Sequence, residues 1–442
     1  MVNKNLSEIG KKLLKKLHEK KATIGIVGLG YVGLPLALTY YENGYEVLGF
    51  DIDTKKLECL NRGESFIKHI DHQRIKNAIS SNKFKVTNSF LEAKRVDALI
   101  ICVPTPLTKN RTPDLTYINT TIESVLPYLQ KGQIISLEST TYPGTTEEII
   151  KPYLESVNLN IGIEYFLVYS PEREDPGNTE FNTSNIPKVL GGISDNCKTI
   201  GIALYEQIIC EVVALSSTKA AEMTKLLENI HRAVNIGLIN EMKILCDKMG
   251  VDLYEVINAA STKPFGFTPY YPGPGLGGHC IPIDPFYLTW KAKEYKLRTR
   301  FIELAGEINS SMPDYVVQKI SDALNDSKKS LKESSVLILG ITYKKNVDDM
   351  RHSPSIEIIK ILLEKEAKVS YSDPYYQKFP EMRSHSFNFQ SINLSPKILS
   401  EFDICVICSD HDVFNYEMIY EYSNKLIDTR GRFKPSDKVT RA

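Results

Sequence analysis

The chain has 442 residues, and its 54 Lys and Arg residues balance its 54 Asp and Glu residues. Hydrophobic residues make up 42% and charged residues 24%, values typical of globular proteins, which excludes disordered, collagen-like and disulfide-stapled classes. At about 100–200 residues per domain, this length predicts two or three domains. Because the chain has no net positive charge, it lacks the field that holds a polyanion, and no nucleic-acid partner is expected.

The N-terminal segment, residues 1–21, carries leucine and isoleucine at helical spacing among lysines. This pattern predicts an amphipathic helix that docks on the body of the protein; a helix lying on a membrane surface is the alternative. The segment lacks the apolar core of a signal peptide, and no later run reaches the roughly eighteen apolar residues of a membrane span. We therefore expect a cytoplasmic protein without a membrane partner. Its eight scattered cysteines fit reduced thiols rather than a disulfide framework.

From Ala22 onward, short apolar runs alternate with helical stretches, which predicts a parallel sheet with crossover helices. One long helical segment, residues 218–249, follows, and its apolar face is suited to a dimer contact. Strand-like runs begin again after about residue 326. The predicted fold is therefore α/β, with two Rossmann-like parallel-sheet domains joined by a long central helix. The predicted domains are an N-terminal domain over 1–217, a helical linker and dimerisation region over 218–325, and a C-terminal domain over 326–442.

The first apolar strand leads into the turn Gly28-Leu-Gly30-Tyr-Val-Gly33, which opens a helical stretch. In this context Gly28 permits the tight turn, Gly30 lets the backbone approach a pyrophosphate, and Gly33 allows close helix packing. Tyr31 and Val32 lie within the same turn, next to the anion-binding helix N-terminus. A dinucleotide site is predicted; a glycine-rich turn that serves packing alone is the alternative.

The next strand ends at Asp51, where a carboxylate would accept a hydrogen bond from a ribose 2′-hydroxyl and repel a 2′-phosphate. This favours NAD over NADP as the cofactor. Asp53 is the competing acid. Thr105 follows a later strand, at the edge of the sheet where ligands bind; a cofactor contact and a rigid turn are equally good readings of it.

A loop rich in glycine and proline, residues 271–278, precedes the pair His279-Cys280. Glycines let a substrate approach the backbone closely, and a helix starting near Pro282 would place Cys280 at its positive end, with Asp284 in its first turn. Such a thiol becomes a good nucleophile. We expect no metal here, because no second Cys/His pair stands at ligand spacing.

Two further features concern the other cysteines and the long helix. Cys405 and Cys408 fall within a strand-like run, so they should point to opposite faces of a sheet and serve as core. In the long helix, Lys225 and Asn229 lie four residues apart and share a face. Two donors aimed together are suited to binding an anion, whereas an ordinary solvated helix face is the alternative.

Six motifs, in this order, resemble those of the nucleotide-sugar 6-dehydrogenases, the UDP-glucose/GDP-mannose dehydrogenase family, over nearly the whole chain. They are GIVGLGYVGLPLA, STTYPGTT, SPER, AEMTKLLENIHRAVNIGLINE, GPGLGGHCIPIDP and YKKNVDDMRHSPS. The stretches GGHCIPIDPFYLTWKAKEY and SPEREDPG resemble the branch acting on UDP-N-acetylhexosamines, above all on UDP-N-acetylglucosamine. UDP-glucose enzymes usually carry a GFGGSC-type loop instead.

The resemblance implies a four-electron oxidation of a primary alcohol to a carboxylate with two NAD and no metal. Cys280 matches the nucleophile, which would form a thiohemiacetal and then a thioester. Lys225 and Asn229 match the pair that stabilises charge on the C6 oxygen and contacts the substrate, and Asp284 matches the carboxylate that handles protons. Thr140 and Glu172 match the positions that hold water and act as base in hydrolysis, Thr140 lying also by the cofactor and Glu172 by the substrate.

For the second domain, the resemblance implies that Lys344 reaches the nucleotide sugar and Arg351 reaches the cofactor. This domain lacks GxGxxG, so a UDP moiety fits there better than a dinucleotide. Gly277 is expected at the substrate. Lys263 stands near the position where UDP-glucose enzymes place an arginine from a neighbouring subunit, and a lysine is a point charge rather than a planar fork.

The expected function is oxidation of UDP-N-acetylglucosamine at C6 for surface polysaccharide synthesis, by a homodimer formed through the central helix. The nearest alternative is the same chemistry on UDP-N-acetylgalactosamine, UDP-N-acetylmannosamine or UDP-glucose. A two-electron NAD dehydrogenase, which needs no Cys280, and a non-catalytic nucleotide sensor are alternatives from other classes.

Overall fold

The computed structural model describes residues 6–67, 70–108, 110–157, 159–174, 180–181, 183–278, 281–380 and 387–442. The chain divides into two compact units, which are described separately below. Unit 1 comprises Met1–Glu228 and Phe286–Leu297, and unit 2 comprises Asn229–Pro285 and Arg298–Ala442. Each unit contains a parallel-dominated sheet covered by helices, so the predicted α/β fold with two Rossmann-like domains is confirmed.

The elements of unit 1 alternate between strands and helices, as the apolar runs predicted. In chain order they are α1 (Glu8–His18), β1 (Thr23–Val27), α2 (Gly33–Glu42), β2 (Glu46–Phe50), α3 (Thr54–Asn61), α4 (His72–Ser80), β3 (Phe84–Thr87), β4 (Ala98–Ile101), α5 (Thr116–Val125), β5 (Ile134–Leu137), α6 (Lys151–Ser156), β6 (Phe166–Tyr169), β7 (Lys188–Gly192), α7 (Asp195–Tyr205), β8 (Val212–Ala214) and the start of α8 (Thr218–Met249).

The eight strands of unit 1 form one sheet in the order β3-β2-β1-β4-β5-β6-β7-β8. Strand β1 pairs in parallel with β2, with Val27 opposite Phe50, and with β4, with Val27 opposite Ile101. The strand order reverses between β1 and β4, and ligands of open α/β sheets bind at the carboxyl ends of the strands at such a point. This position is where the glycine turn lies.

One pairing differs from the predicted all-parallel sheet, because β7 is antiparallel to β6. A parallel pair needs a long crossover, usually a helix, between its strands. The described part of the connection between Tyr169 and Lys188 contains only turns and irregular chain. The chain therefore returns alongside β6 in the opposite direction.

The predicted N-terminal helix is present as α1, which begins at Glu8 because Ser7 caps it by accepting a hydrogen bond from the Gly10 amide at 3.1 Å. Its apolar face is buried, with Leu13 and Leu17 at most 2% exposed. These leucines belong to the core on one face of the unit 1 sheet. Docking on the body of the protein is therefore confirmed. Among the described helices, none is both long and apolar enough to cross a bilayer.

Unit 2 contains the rest of α8 and a smaller sheet. Its further elements are α9 (Leu253–Ala260), the start of α10 (Asp284–Ala292), α11 (Arg300–Asp326), β9 (Ser335–Leu339), α12 (Pro354–Glu364), β10 (Lys368–Ser372), α13 (Pro396–Glu401), β11 (Ile404–Ile407), α14 (Tyr416–Tyr422), β12 (Leu426–Asp428) and β13 (Val439–Arg441). The five strands are all parallel, in the order β10-β9-β11-β12-β13. Cys405 and Cys408 are both buried, in the cores on the two faces of this sheet, as predicted.

The two sheets share one local design at the end of their first strand. In unit 1, Gly28 has φ +92° and the residue after it donates its amide to Asp51, the residue that follows β2. In unit 2, Gly340 has φ +80° and the residue after it donates its amide to Asp373, the residue that follows β10. The repetition supports two Rossmann-like halves of common architecture.

The long central helix is observed as the 32-residue α8, which runs from unit 1 into unit 2. The boundary between unit 1 and unit 2 falls within this helix, after Glu228. The boundaries predicted at residues 217 and 325 describe a different, three-part division and remain a prediction.

Candidate functional site

The glycine turn of unit 1 leaves an open space beside the backbone. A Cβ on Gly28 would lie 2.6 Å from the carbonyl oxygen of Cys102, and a Cβ on Gly33 would collide with the Gly28 carbonyl. Both glycines are therefore required by the turn and by the packing of α2. By contrast, a Cβ on Gly30 would meet no heavy atom of the described residues within 4 Å. The backbone is therefore open to close approach at a helix N-terminus that carries no side-chain cap, as a pyrophosphate site requires.

Asp51 is held at this turn by several donors. Its side chain accepts the Leu29 amide at 2.9 Å and the Asp53 amide at 2.9 Å, and the Lys56 ammonium lies 3.3 Å away. The carboxylate is thereby fixed at the carboxyl end of β2, where a ribose 2′-hydroxyl would bind. Asp53, the competing acid, caps α3 by accepting the amides of Lys55 and Lys56. These contacts fit the chemistry of NAD.

The other predicted cofactor residues lie near this turn or at the same edge of the sheet. Tyr31 and Val32 are half-buried, and Val32 immediately precedes α2. Thr105 is 3% exposed, and its carbonyl oxygen accepts the hydroxyl of Tyr287 at 3.0 Å. This bond gives the Thr105 segment a structural support, while the predicted cofactor contact stays a prediction.

Thr140 and Glu172 also follow neighbouring strands, β5 and β6, at the carboxyl edge of the unit 1 sheet. Both residues are half-buried. The Oε1 atom of Glu172 accepts the amides of Arg173 at 2.6 Å and Glu174 at 2.7 Å, and its Oε2 lies 3.7 Å from the ammonium of Lys188. The sheet topology thus brings Thr140 and Glu172 to the edge that carries the glycine turn.

A buried carboxylate that the sequence analysis missed fixes the loop after Thr140. Glu222, on α8, accepts hydrogen bonds from the Gly144 amide at 2.5 Å and from the amide and hydroxyl of Thr146 at 2.9 and 2.7 Å. Burial raises the pKa of Glu222 to about 7, although these bonds favour the ionised form. The i, i+3 spacing to Lys225 was the one signal that could have pointed to it.

A Glu222→Gln variant is expected to flatten the pH dependence of stability. The carboxyl group has a reference pKa of 4.5 and a folded pKa of about 7. The folded state therefore binds more protons between these values, and its free energy of unfolding falls by about 3 kcal/mol as pH rises through this window. Urea unfolding of wild type and variant at pH 4.5 and 8 measures the difference. Glu155→Gln, a surface change, should leave the wild-type dependence intact; equal pH dependence in wild type and Glu222→Gln would contradict the assignment.

Lys225 and Asn229 lie on one face of α8 and are buried, at 8% and 5% exposure. Among the described residues, none forms an ion pair or hydrogen bond with the Lys225 ammonium. A buried ammonium without a carboxylate partner costs stability, which is typical of a functional group rather than of a surface lysine. The solvated-face alternative is therefore wrong for both residues.

Asn229 contacts one other predicted residue within unit 2. Its side-chain amide donates a hydrogen bond to Oδ2 of Asp284, the first residue of α10, which is 1% exposed. A donor of the long helix and the carboxylate of the cysteine loop are thus brought together. Cys280 and His279 themselves lie outside the described residues.

The glycines that precede Cys280 pack against a loop of unit 2. Gly278 has φ +84° and donates its amide to the Arg351 carbonyl at 2.9 Å. A Cβ on Gly277 would lie 2.5 Å from the Cβ of Tyr343. Packing alone therefore requires glycine at 277, and its predicted substrate contact stays a prediction.

The remaining predicted residues have local contacts in unit 2. The guanidinium of Arg351 binds both carboxylate oxygens of Asp349, at 2.7 to 3.0 Å. Lys344 is half-buried, and its carbonyl accepts the Thr342 hydroxyl at 3.0 Å. Lys263 is exposed, with its ammonium 5.0 Å from the centre of the Phe265 ring. Their predicted ligand contacts stay predictions.

The described residues contain no group of three or more His, Cys, Asp or Glu side chains arranged to hold a metal ion.

The glycine turn, the fixed Asp51 and the switch point of the sheet together define a dinucleotide-binding protein of the Rossmann type.

Comparison with known proteins identifies the family more closely. Three models of the UDP-glucose/GDP-mannose dehydrogenase family match in order: the NAD binding domain over residues 22–209, the central domain over 219–311 and the UDP binding domain over 337–435. The chain belongs to this family. It is a nucleotide-sugar dehydrogenase, an oxidoreductase that uses NAD.

Relatives whose names give different sugar substrates have about the same sequence identity to this chain. A UDP-N-acetyl-D-mannosamine dehydrogenase of Methanococcus maripaludis is 35% identical over 396 residues, covering 88% of this chain and 86% of that protein. A UDP-N-acetyl-D-glucosamine 6-dehydrogenase of Pseudomonas aeruginosa is 36% identical over 358 residues, covering 80% and 83%. The structure of a UDP-D-ManNAc dehydrogenase from Pyrococcus horikoshii superposes with a TM-score of 0.84 at 31% identity, covering 95% of this chain and 98% of that one.

Proposed function

We propose that this enzyme oxidises the C6 hydroxyl of UDP-N-acetyl-D-glucosamine to the carboxylate, giving UDP-N-acetyl-D-glucosaminuronate for surface polysaccharide synthesis. The observation that carries the proposal is the hydrogen bond between Asn229 and Asp284, which joins the donor face of α8 to the segment that follows Cys280. A charge-stabilising amide, a carboxylate and a loop thiol are the groups that stepwise oxidation of an alcohol to an acid requires.

In the first half of the proposed reaction, the alcohol becomes an aldehyde. Asp284 takes the hydroxyl proton through water, while Lys225 and Asn229 stabilise negative charge on the C6 oxygen. NAD, when bound, accepts the hydride, and Gly30 and Asp51 are the residues that would hold its pyrophosphate and ribose. The thiolate of Cys280 then adds to the aldehyde carbon, forming a carbon–sulfur bond in a thiohemiacetal.

In the second half, loss of another hydride converts the thiohemiacetal to a thioester. Glu172 takes a proton from a water molecule held by Thr140, the resulting oxygen attacks the thioester carbon, and the carbon–sulfur bond breaks to restore Cys280. The balance is one alcohol, one water and two NAD⁺ giving one carboxylate, two NADH and three protons. Covalent capture keeps the aldehyde from escaping.

The choice of sugar rests on the GGHCIPIDP stretch and on the relative named UDP-N-acetyl-D-glucosamine 6-dehydrogenase. UDP-N-acetyl-D-mannosamine is the second candidate, favoured by relatives such as that of M. maripaludis and by the P. horikoshii structure. These two sugars differ in the configuration of one carbon, C2. Lys344 on the UDP side and Lys263 near the cysteine loop would contribute equally to binding either sugar.

The purified enzyme, supplied with NAD and each of four UDP-sugars, tests this proposal. We expect the highest kcat/KM with UDP-N-acetylglucosamine and two NADH formed per sugar consumed. The other substrates are UDP-N-acetylmannosamine, UDP-N-acetylgalactosamine and UDP-glucose. A higher kcat/KM for the mannosamine sugar would reassign the substrate, and one NADH per sugar would overturn the four-electron chemistry.

We also propose that the enzyme is a homodimer formed through α8. Large apolar side chains of this helix fall on one stripe about 80° wide and stay exposed in the single chain. They are Met223, Leu227, Leu238, Leu245 and Met249, at 40 to 66% exposure. Covering such a stripe with a second copy would remove an apolar surface from water.

Replacing both Leu238 and Leu245 by Asp is expected to give a monomer, because two buried unpaired charges would oppose the contact. Light scattering after size-exclusion chromatography measures the mass. Leu91→Asp, at an exposed leucine outside α8, should leave the dimer intact. A wild type that runs as a monomer would contradict the proposal.

A further inference from the structure

A buried lysine that has no part in the proposed reaction forms an ion pair with Glu172. Lys188, the first residue of β7, is 4% exposed. Its ammonium lies 3.0 Å from Oε2 of Glu138, 3.2 Å from the carbonyl oxygen of Pro171 and 3.7 Å from Oε2 of Glu172. One cation is therefore shared between a fully buried carboxylate and the carboxylate at the edge of the sheet.

The far side of this lysine is fixed by a hydrogen-bond network. The Tyr205 hydroxyl donates to Oε1 of Glu138 at 2.7 Å and lies 2.7 Å from the hydroxyl oxygen of Ser136. The ring of Tyr205 also lies under the Lys188 ammonium, with 5.1 Å to its centre. Burial lowers the pKa of Lys188, but the charges of Glu138 and Glu172 outweigh it and raise the pKa overall. The lysine is thus a rigid, permanent cation.

Stability alone does not explain this arrangement. A buried ion pair pays a desolvation cost that its attraction barely offsets, and apolar residues of similar size often replace it without loss. Such a replacement would, however, remove the contacts to the Pro171 carbonyl and to Glu172. Glu172 is also held at its other oxygen by two backbone amides, so all of these contacts favour one orientation.

The other charged groups around Glu172 make this cation necessary. Burial and the charge of Glu172 raise the pKa of Glu174, and burial raises the pKa of Glu138. The neighbouring cation, Arg173, is paired with Glu228 at 2.6 Å. Burial also raises the pKa of the Cys102 thiol beside Glu138, so that thiol stays neutral. Lys188 is therefore the cation that balances the carboxylates among the described residues of this cluster.

We propose that Lys188 is a positioning residue that keeps the Glu172 carboxylate oriented for the hydrolysis of the thioester. The inference rests on the proposed hydrolytic role of Glu172. It assigns the Glu138–Lys188–Tyr205 network to the last step of the reaction, because Glu172 enters only when water attacks the acyl group. Removing the ammonium should slow release of the acid while leaving both hydride transfers intact.

The test follows NADH formation in the first turnover of wild type, Lys188→Arg and the double variant Glu138→Gln with Lys188→Met. The double variant removes both buried charges, so no unpaired charge remains to unfold the protein. In it we expect a burst of two NADH per site, followed by turnover slower by about tenfold to a hundredfold. Mass spectrometry should then detect the acylated enzyme, and Lys188→Arg should behave as wild type.

The split between the burst and the steady-state rate separates positioning from a merely structural role. Loss of the positioned carboxylate should slow only the steady-state rate, whereas general damage to the fold would also reduce the burst amplitude and raise KM. A double variant whose steady-state rate matches wild type would overturn the inference, as would loss of the burst itself. If wild type forms one NADH per sugar, the proposed function fails and the inference fails with it; two NADH in wild type and an unchanged variant reject the inference alone.

Discussion

A Cys280→Ser variant is expected to bind NAD and UDP-sugar as wild type does, yet to lose conversion of the alcohol to the acid by about 10³-fold or more. A serine hydroxyl is a much weaker nucleophile than a thiolate at neutral pH, and an ester is a poorer acyl donor than a thioester. The aldehyde would no longer be captured, so the second oxidation should stall. Chromatographic measurement of the uronate, alongside NADH formation, checks this.

Cys210→Ser is the matched control, since Cys210 is a free and exposed cysteine. It should retain wild-type turnover and two NADH per sugar. The control separates loss of one nucleophile from a general effect of removing a thiol. Full conversion to the acid by Cys280→Ser would rule out the thioester route. If neither wild type nor Cys280→Ser forms NADH while both bind NAD and UDP-sugar, a nucleotide sensor would be favoured.

The sequence predicted the cofactor turn well because its constraints are local. The strand, the three glycines and Asp51 each have a reason that depends only on neighbouring residues. The geometry agrees: Gly28 takes a positive φ, and no described residue blocks close approach to Gly30. Asp53 could be set aside only with the structure, since an acid at a helix N-cap and an acid at a ribose look alike in a sequence.

The buried polar contacts could not be predicted in the same way. Glu222 lies 76 residues from Thr146, and Lys188 lies 50 residues from Glu138, so nothing in the local spacing joins them. The antiparallel pairing of β7 depends on a connection whose described residues contain no crossover helix. Sequence patterns report which face is buried, whereas partners across a sheet depend on the complete topology.

The donor face of α8 lies between these two cases. Helical spacing placed Lys225 and Asn229 on one face, but an exposed face of the same composition would have looked identical. Only the burial of both side chains and the bond from Asn229 to Asp284 distinguish this face from a solvated one. The resemblance to known dehydrogenases supplied the roles that spacing could not.

A Lys225→Ala variant is expected to lower kcat by about 10²- to 10³-fold while the Kd for NAD changes little. The ammonium is buried and unpaired among the described residues, so its favourable interaction would arise when negative charge develops on the C6 oxygen. Losing it should therefore raise the barrier of the first hydride transfer, and no burst of NADH should appear. Lys188 variants, by contrast, should keep the burst, which separates the two lysines by the step each one serves.

Lys219→Ala is the control on the same helix, because Lys219 is exposed and pairs with Glu147 at 2.9 Å. It should keep both kcat and the Kd for NAD. Stopped-flow measurement of the first turnover, together with titration of NAD, gives both quantities for each variant. An equal loss of NAD binding and turnover in Lys225→Ala, together with a lower free energy of unfolding, would make this lysine a structural residue. If Lys225 instead serves catalysis, removing its buried charge should raise the free energy of unfolding.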